Sequence, residues 1–282
     1  MSDPAASVPS MADRLASVAG RFGTVSIGID PHPYLLADWG LDDSADGVRE
    51  FGLRVVEAAT DEVGVLKPQV SFYERFGSAG FASLERVLAE ARGRGLFVIG
   101  DAKRGDIGST VAGYADAWLT PGSPLEVDAL TMHPYGGFGS LAPALGRADA
   151  TGKGLFVLAA MSNPEAVALQ TAVDGAGTSV AAGIVSEVVS RNATGPSSAG
   201  LVLGATVDFA RYGIDIARLD GSWVLAPGFG EQGARVSDLR GIFGAAADRV
   251  LVSTSRAVLS AGPAGLRDAI RRVTGEVREC LA

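Results

Sequence analysis

The stretch FVIGDAKRGDIGST, residues 97–110, is an apolar run that ends in Asp-x-Lys-x-x-Asp and then turns small and polar. That build describes a strand buried along its body, with charge set where the chain leaves the sheet. Seven further short apolar runs accompany it: TVSIGID (24–30), VGVLKP (63–68), ALTMHP (129–134), GLFVLAAM (154–161), GLVLGAT (200–206), WVLAPGF (223–229) and RVLVSTSR (249–256), with LFVIGDAK (96–103) as the third in order. Segments with apolar residues at three- and four-residue steps lie between most of them, among them DGVREFGLRVVEAATDE (46–62), GFASLERVLAEARGRG (80–95) and TSVAAGIVSEVVSRNA (178–193). Strands alternating with helices make βαβ units and a parallel sheet.

Eight such units predict a single-domain (β/α)8 TIM barrel, and the 282 residues suit one. An open doubly wound sheet would need a glycine-rich loop after the first strand, where this chain has Asp-Pro-His-Pro at 30–33. Residues 1–10 read as a disordered arm, with the barrel spanning 11–282. Within it, 11–22 reads as a helix covering the barrel bottom and 264–279 as the last outer helix.

Composition narrows the function classes. The chain is 47% hydrophobic and 20% charged, which is ordinary for a globular protein, and its 38 glycines sit mostly at element ends, where tight loops need them. The net charge of −8 and the lack of a basic stripe exclude a nucleic-acid polymer as partner, so an anionic ligand would need local cations to collect it. With two histidines, His32 and His133, a histidine-rich metal site is not expected. The single cysteine, Cys280, forms no internal disulfide and fits a reducing compartment. Neither a secretory signal nor an apolar run of about 18 residues is present, so a cytoplasmic protein with no membrane partner is expected.

Side chains alternate faces along a strand. Phe97, Ile99, Asp101 and Lys103 therefore share one face of the third strand. Ser26, Gly28 and Asp30 share one in the first, Val65 and Lys67 in the second, and Val250, Val252, Thr254 and Arg256 in the eighth. Charges thus end four strands at the rim where (β/α)8 enzymes place their active sites. Carboxylates at 101 and 106 around Lys103 favour its charged form, which argues against a Schiff-base lysine and for a proton donor or fixed cation. An added Lys67 makes an alternating row of charge, useful when aimed at charge that develops in a transition state. PGFGEQGA (227–234) is a glycine-rich loop after the seventh strand, and with Arg256 at the next strand end it reads as a phosphate site. Glu231 inside that loop must point to solvent or repel the phosphate. His133 reads as a hydrogen-bonded structural residue and His32 as loop structure.

These segments resemble one family. IGIDPHP (27–33), LKPQVSFYERFG (66–77), DAKRGDIGST (101–110), APGFGEQGA (226–234) and STSRAV (253–258), in this order, are similar to orotidine 5′-phosphate decarboxylases, in the bacterial type 2, mycobacterial-like group, over residues 20–260. The resemblance implies decarboxylation of orotidine 5′-monophosphate to uridine 5′-monophosphate (UMP), with no cofactor and no metal, in a homodimer. Lys103 would protonate C6 as carbon dioxide leaves, Asp101 would lie beside the departing carboxylate, and Lys67 would hold the array and contact the ribose. Asp106, with Ile107 and Thr110, would complete the partner subunit's site. Asp30 would bind ribose hydroxyls, Ser162 would meet the pyrimidine edge, and Gln232 would bridge base and phosphate. Arg256, with backbone amides near Gly230 and Ser255, would hold the phosphate, Pro227 would also contact the substrate, and the loops at about 228–237 and 162–178 are candidate lids. Two other readings stay open from the residues: a related barrel acting on an acyclic sugar phosphate through a metal-stabilised enediolate, and a catalytically dead nucleotide-binding barrel.

Overall fold

The eight apolar runs form eight parallel strands: β1 (Val25–Ile29), β2 (Val65–Pro68), β3 (Phe97–Arg104), β4 (Ala129–Met132), β5 (Gly154–Ala160), β6 (Ala199–Leu203), β7 (Val224–Pro227) and β8 (Val250–Thr254). They pair in chain order and close, β8 on β1, into a barrel, with helices packed outside. The computed structural model describes residues 8–219, 221–231 and 233–282; most of the expected N-terminal arm, residues 1–7, lies outside the described residues.

Alternation divides the apolar side chains into two cores. Val25, Ile27, Ile29, Leu66, Val98 and Leu130 join the layer between strands and helices. Val65, Phe97, Ile99, Phe156, Leu158, Leu225 and Leu251 fill the barrel itself. At the bottom the filling is completed from outside the sheet. Helix α1 (Met11–Phe22) starts at a capping box in which Ser10 and Asp13 satisfy each other's backbone N–H groups. It drives Met11 and Leu15 into the interior cluster, where both are fully buried. Gly154 makes room: a Cβ there would come within 2.0 Å of the Met11 sulfur. The bottom is thus stoppered with side chains, and the polar residues gather at the other end.

One expected facing is corrected. Val250 and Val252 lie in the outer core while Leu251 points inward. Arg256 therefore does not reach the mouth by sharing their face. β8 stops at Thr254, and the backbone breaks at Ser255 (φ −138°, ψ −81°) into a short helix, Arg256–Leu259, whose first residue is delivered to the rim. Parity counts only while the strand lasts.

Candidate active site

The mouth holds a cavity of about 620 Å3, within the range that takes a small organic ligand. Asp30, Lys67, Asp101, Lys103, Ser162, Pro227, Ser255 and Arg256 are among the residues that line it.

Asp101 is its electrostatic centre. Its Oδ2 accepts from Lys67 Nζ at 2.8 Å, and its Oδ1 accepts from Lys103 Nζ at 2.5 Å and from Thr131 Oγ1 at 2.9 Å. The Gln69 amide, turned so that its nitrogen faces Asp101, donates to Oδ2 at 3.0 Å and to the Asp101 carbonyl at 2.7 Å. Burial alone would raise the Asp101 carboxyl; the charges of Lys67 and Lys103 overturn that and hold it well below the usual carboxylate range. Burial alone would lower Lys67; Asp101, and then Asp30, reverse this and raise it. Both shifts favour the charged forms of Lys67 and Asp101.

Lys103 is the row's outer member, with its side chain 39% exposed while those of Lys67 and Asp101 are near 10%. Its backbone is left-handed at φ +48°, a region that L side chains seldom adopt. The cause is local: the register between β3 and β4 slips between Gly100 and Arg104, and the Lys103 N–H donates to Thr131 Oγ1 at 3.0 Å rather than to a strand carbonyl. Across this bulge Asp101 and Lys103 still line the same cavity.

Asp106 does not stand beside Lys103 within one chain. Past the bulge the chain turns outward; Asp106 is exposed, and its Oδ1 accepts the Ile107 N–H at 2.8 Å. Ile107 and Thr110 are exposed beside it, and none of the three lines this cavity. Lys103 is therefore paired with one carboxylate here, not two.

Ser255 Oγ and Asp30 Oδ1 are buried with no hydrogen-bond partner among the described residues, and both residues border the cavity. Gly28 admits them: a Cβ there would fall 2.8 Å from Ser255 Cβ and 3.2 Å from Asp30 Oδ2. Gly230 shapes the loop instead of lining the cavity, and its N–H is taken by the Ala234 carbonyl at 2.9 Å. Glu231 borders the cavity with its side chain 48% exposed, and it pairs with Arg256 at 3.1 Å. Gln232 lies outside the described residues.

Sequence reasoning missed Gln69 and Thr131. Gln69 sits two residues beyond Lys67, the step that repeats an inward position, and Thr131 is the one hydroxyl in ALTM. His32 is more than loop structure. It lines the cavity, its ring 4.4 Å from that of Phe72, and burial holds it below the usual histidine value against the pull of Asp30. The His133 ring packs over Gly105, where a Cβ would meet it at 2.4 Å. Among the described residues its side chain makes no hydrogen bond, so packing, not the expected hydrogen bonding, is its visible role. No group of three or more His, Cys, Asp or Glu among the described residues is placed to hold a metal ion. No helix among them is long and apolar enough to cross a membrane.

Comparison with known proteins gives a consistent result. Residues 25–269 match the model of the orotidine 5′-phosphate decarboxylase / HUMPS family. The orotidine 5′-phosphate decarboxylase of Salinispora arenicola is 50% identical over 272 residues, covering 95% of this chain and 97% of that one. The protein of the same name from Streptomyces coelicolor is 48% identical over 273 residues, with 95% and 97% covered. A crystal structure from Streptomyces avermitilis superposes with a TM-score of 0.92 at 46% identity, covering 100% of this chain and 99% of that one. The Leishmania donovani OMP decarboxylase structure gives 0.77 at 28% identity, with 96% and 98% covered.

Proposed function

The chain belongs to the orotidine 5′-phosphate decarboxylase / HUMPS family, and from that premise we propose how its residues perform the reaction. It converts orotidine 5′-monophosphate to UMP and carbon dioxide, the last step of de novo pyrimidine nucleotide synthesis. Breaking the bond from C6 to the carboxylate leaves an electron pair on C6. The ring π system delocalises that pair poorly, so the surroundings must stabilise it. The Lys103 Nζ proton passes to C6, carbon dioxide departs, and the neutral amine regains a proton from water. The observation that carries this reading is the row Lys67–Asp101–Lys103, joined at 2.8 and 2.5 Å, with its outermost amine on the cavity wall.

Asp101 faces the substrate carboxylate in this scheme. Two carboxylates ~4 Å apart repel by only ~4 kcal/mol at an effective dielectric near 20. Large enzymatic accelerations draw on up to ~23 kcal/mol, so repulsion is the smaller share. The greater part comes from Lys103 facing the developing negative charge in fixed geometry, and from phosphate binding at the far end of the substrate. Asp30 takes the ribose hydroxyls, an unpartnered carboxylate oxygen being an open acceptor there. Ser162 takes the pyrimidine edge, and Pro227 closes the wall between base and phosphate. Ser255 and Arg256 take the phosphate, supported by the free Ser255 hydroxyl and the forked guanidinium. A cytoplasmic setting accords with the one free thiol, Cys280.

The working unit is a homodimer in which Asp106, Ile107 and Thr110 complete the neighbouring site. Ile107 is 65% exposed and packs next to Gly136, beside the 80% exposed Tyr135. An apolar patch of that kind around an idle carboxylate is interface chemistry. Complementation tests it. Lys103→Ala and Asp106→Asn homodimers should both be nearly inactive, and subunits remixed at random should recover about a quarter of the wild-type rate, since half the dimers then hold one intact site. No recovery would mean that Asp106 acts within its own subunit.

The reaction itself is read from the loss of orotidine 5′-monophosphate in the ultraviolet. Turnover should be unchanged by a chelator. Loss of activity on chelation would favour the metal-stabilised enediolate chemistry of related barrels.

A further inference from the structure

We propose that Glu231 is a latch on the phosphate cation: its carboxylate holds Arg256 in the free enzyme and must swing away before a substrate phosphate can take the guanidinium. The inference rests on the reading of Arg256 as the phosphate residue. Glu231 Oε2 lies 3.1 Å from Arg256 Nη1, and both residues border the cavity. Two anions therefore compete for one guanidinium.

The loop limits what has to move. Glu231 sits at the tip of a turn closed by the Gly233 N–H to the Gly230 carbonyl at 3.0 Å. The turn is braced by Gly230 N–H to the Ala234 carbonyl at 2.9 Å and Ala234 N–H to the Gly228 carbonyl at 3.1 Å. Gly228, Gly230 and Gly233, with φ of 117°, 84° and 108°, hold a backbone path that other residues would strain. With Gly228, Gly230, Gly233 and Ala234 so held, the exchange needs only rotation of the Glu231 side chain, 48% exposed at the rim. A pair so exposed is weak enough for a dianion to displace. When product leaves, the carboxylate returns to Arg256 and speeds the departure of the phosphate end. The latch sets selectivity between phosphate-bearing and bare ligands and hastens product release.

The test is a double-mutant cycle with UMP and uridine as probes, their dissociation constants measured by titration calorimetry. Glu231→Gln should tighten UMP roughly three- to tenfold and leave uridine unchanged. Arg256→Ala should weaken UMP and spare uridine, and in that background Glu231→Gln should lose most of its effect. Unchanged or weaker UMP binding in Glu231→Gln, or equal shifts for UMP and uridine, would overturn the latch while the phosphate role of Arg256 stands. An undiminished effect without Arg256 would overturn it in favour of direct repulsion of the phosphate. Equal losses of UMP and uridine in Arg256→Ala would overturn the phosphate role, and the latch with it.

Discussion

Lys103→Ala is expected to lower kcat by roughly 10⁴- to 10⁷-fold, because it removes two contributions at once: electrostatic stabilisation of the carbanion, roughly 10²–10³, and delivery of the proton, roughly 10²–10⁴. UMP binding should remain measurable, since Arg256, Ser255 and Asp30 lie elsewhere on the cavity wall. The fold should survive, because Asp101 keeps Lys67, Gln69 and Thr131 as donors. Single-turnover assays together with UMP titration separate the two effects. A rate within tenfold of wild type would remove Lys103 from the chemistry, and loss of UMP binding in parallel would make its role one of binding.

Asp101→Ala should have the largest effect on stability. It strands the Lys67 ammonium, 8% exposed, with its nearest counter-charge gone. Breaking a buried ion pair from one side costs about 3–5 kcal/mol. At about 2–4 °C per kcal/mol for a chain somewhat shorter than this one, thermal unfolding should fall by about 6–20 °C. The sign of the pH dependence follows from the direction of the shift. The folded carboxyl lies below its unfolded value, so its contribution is complete above about pH 4 and fades as pH falls toward the folded value. The gap between wild type and variant should therefore hold steady from neutral pH to about pH 5 and narrow only in stronger acid. A variant as stable as wild type at neutral pH would show that Lys67 has another partner. Activity should fall too, since Lys103 loses the acceptor that fixes its amine.

These residues also show what the sequence makes legible. The barrel could be seen in the strand–helix alternation, the inward facing of Lys67 could be counted from parity along β2, and that of Asp101 and Lys103 survives the slip in β3. Counting fails where the strand ends. Arg256 reaches the rim from a new helix after β8, against the facing of Val250 and Val252. The left-handed backbone of Lys103 depends on the slipped register with β4, which no count within β3 reveals. Pairings between distant segments were equally hidden. Thr131 meets Asp101 from the next strand, and Glu231 meets Arg256 from the loop after β7. Asp106 is the converse case. Its three-residue spacing from Lys103 promised a neighbour, and the turn after the bulge carries it to the outside.

Helix α1 has a consequence for traffic. Among the described residues, Met11 and Leu15 cork the far end of the barrel, which leaves the mouth as the doorway for nucleotide and gas in the proposed reaction. In the proposed reaction carbon dioxide, small and held by no charge, would leave past a nucleotide moored at both ends, so the gas is expected to go first and the nucleotide last.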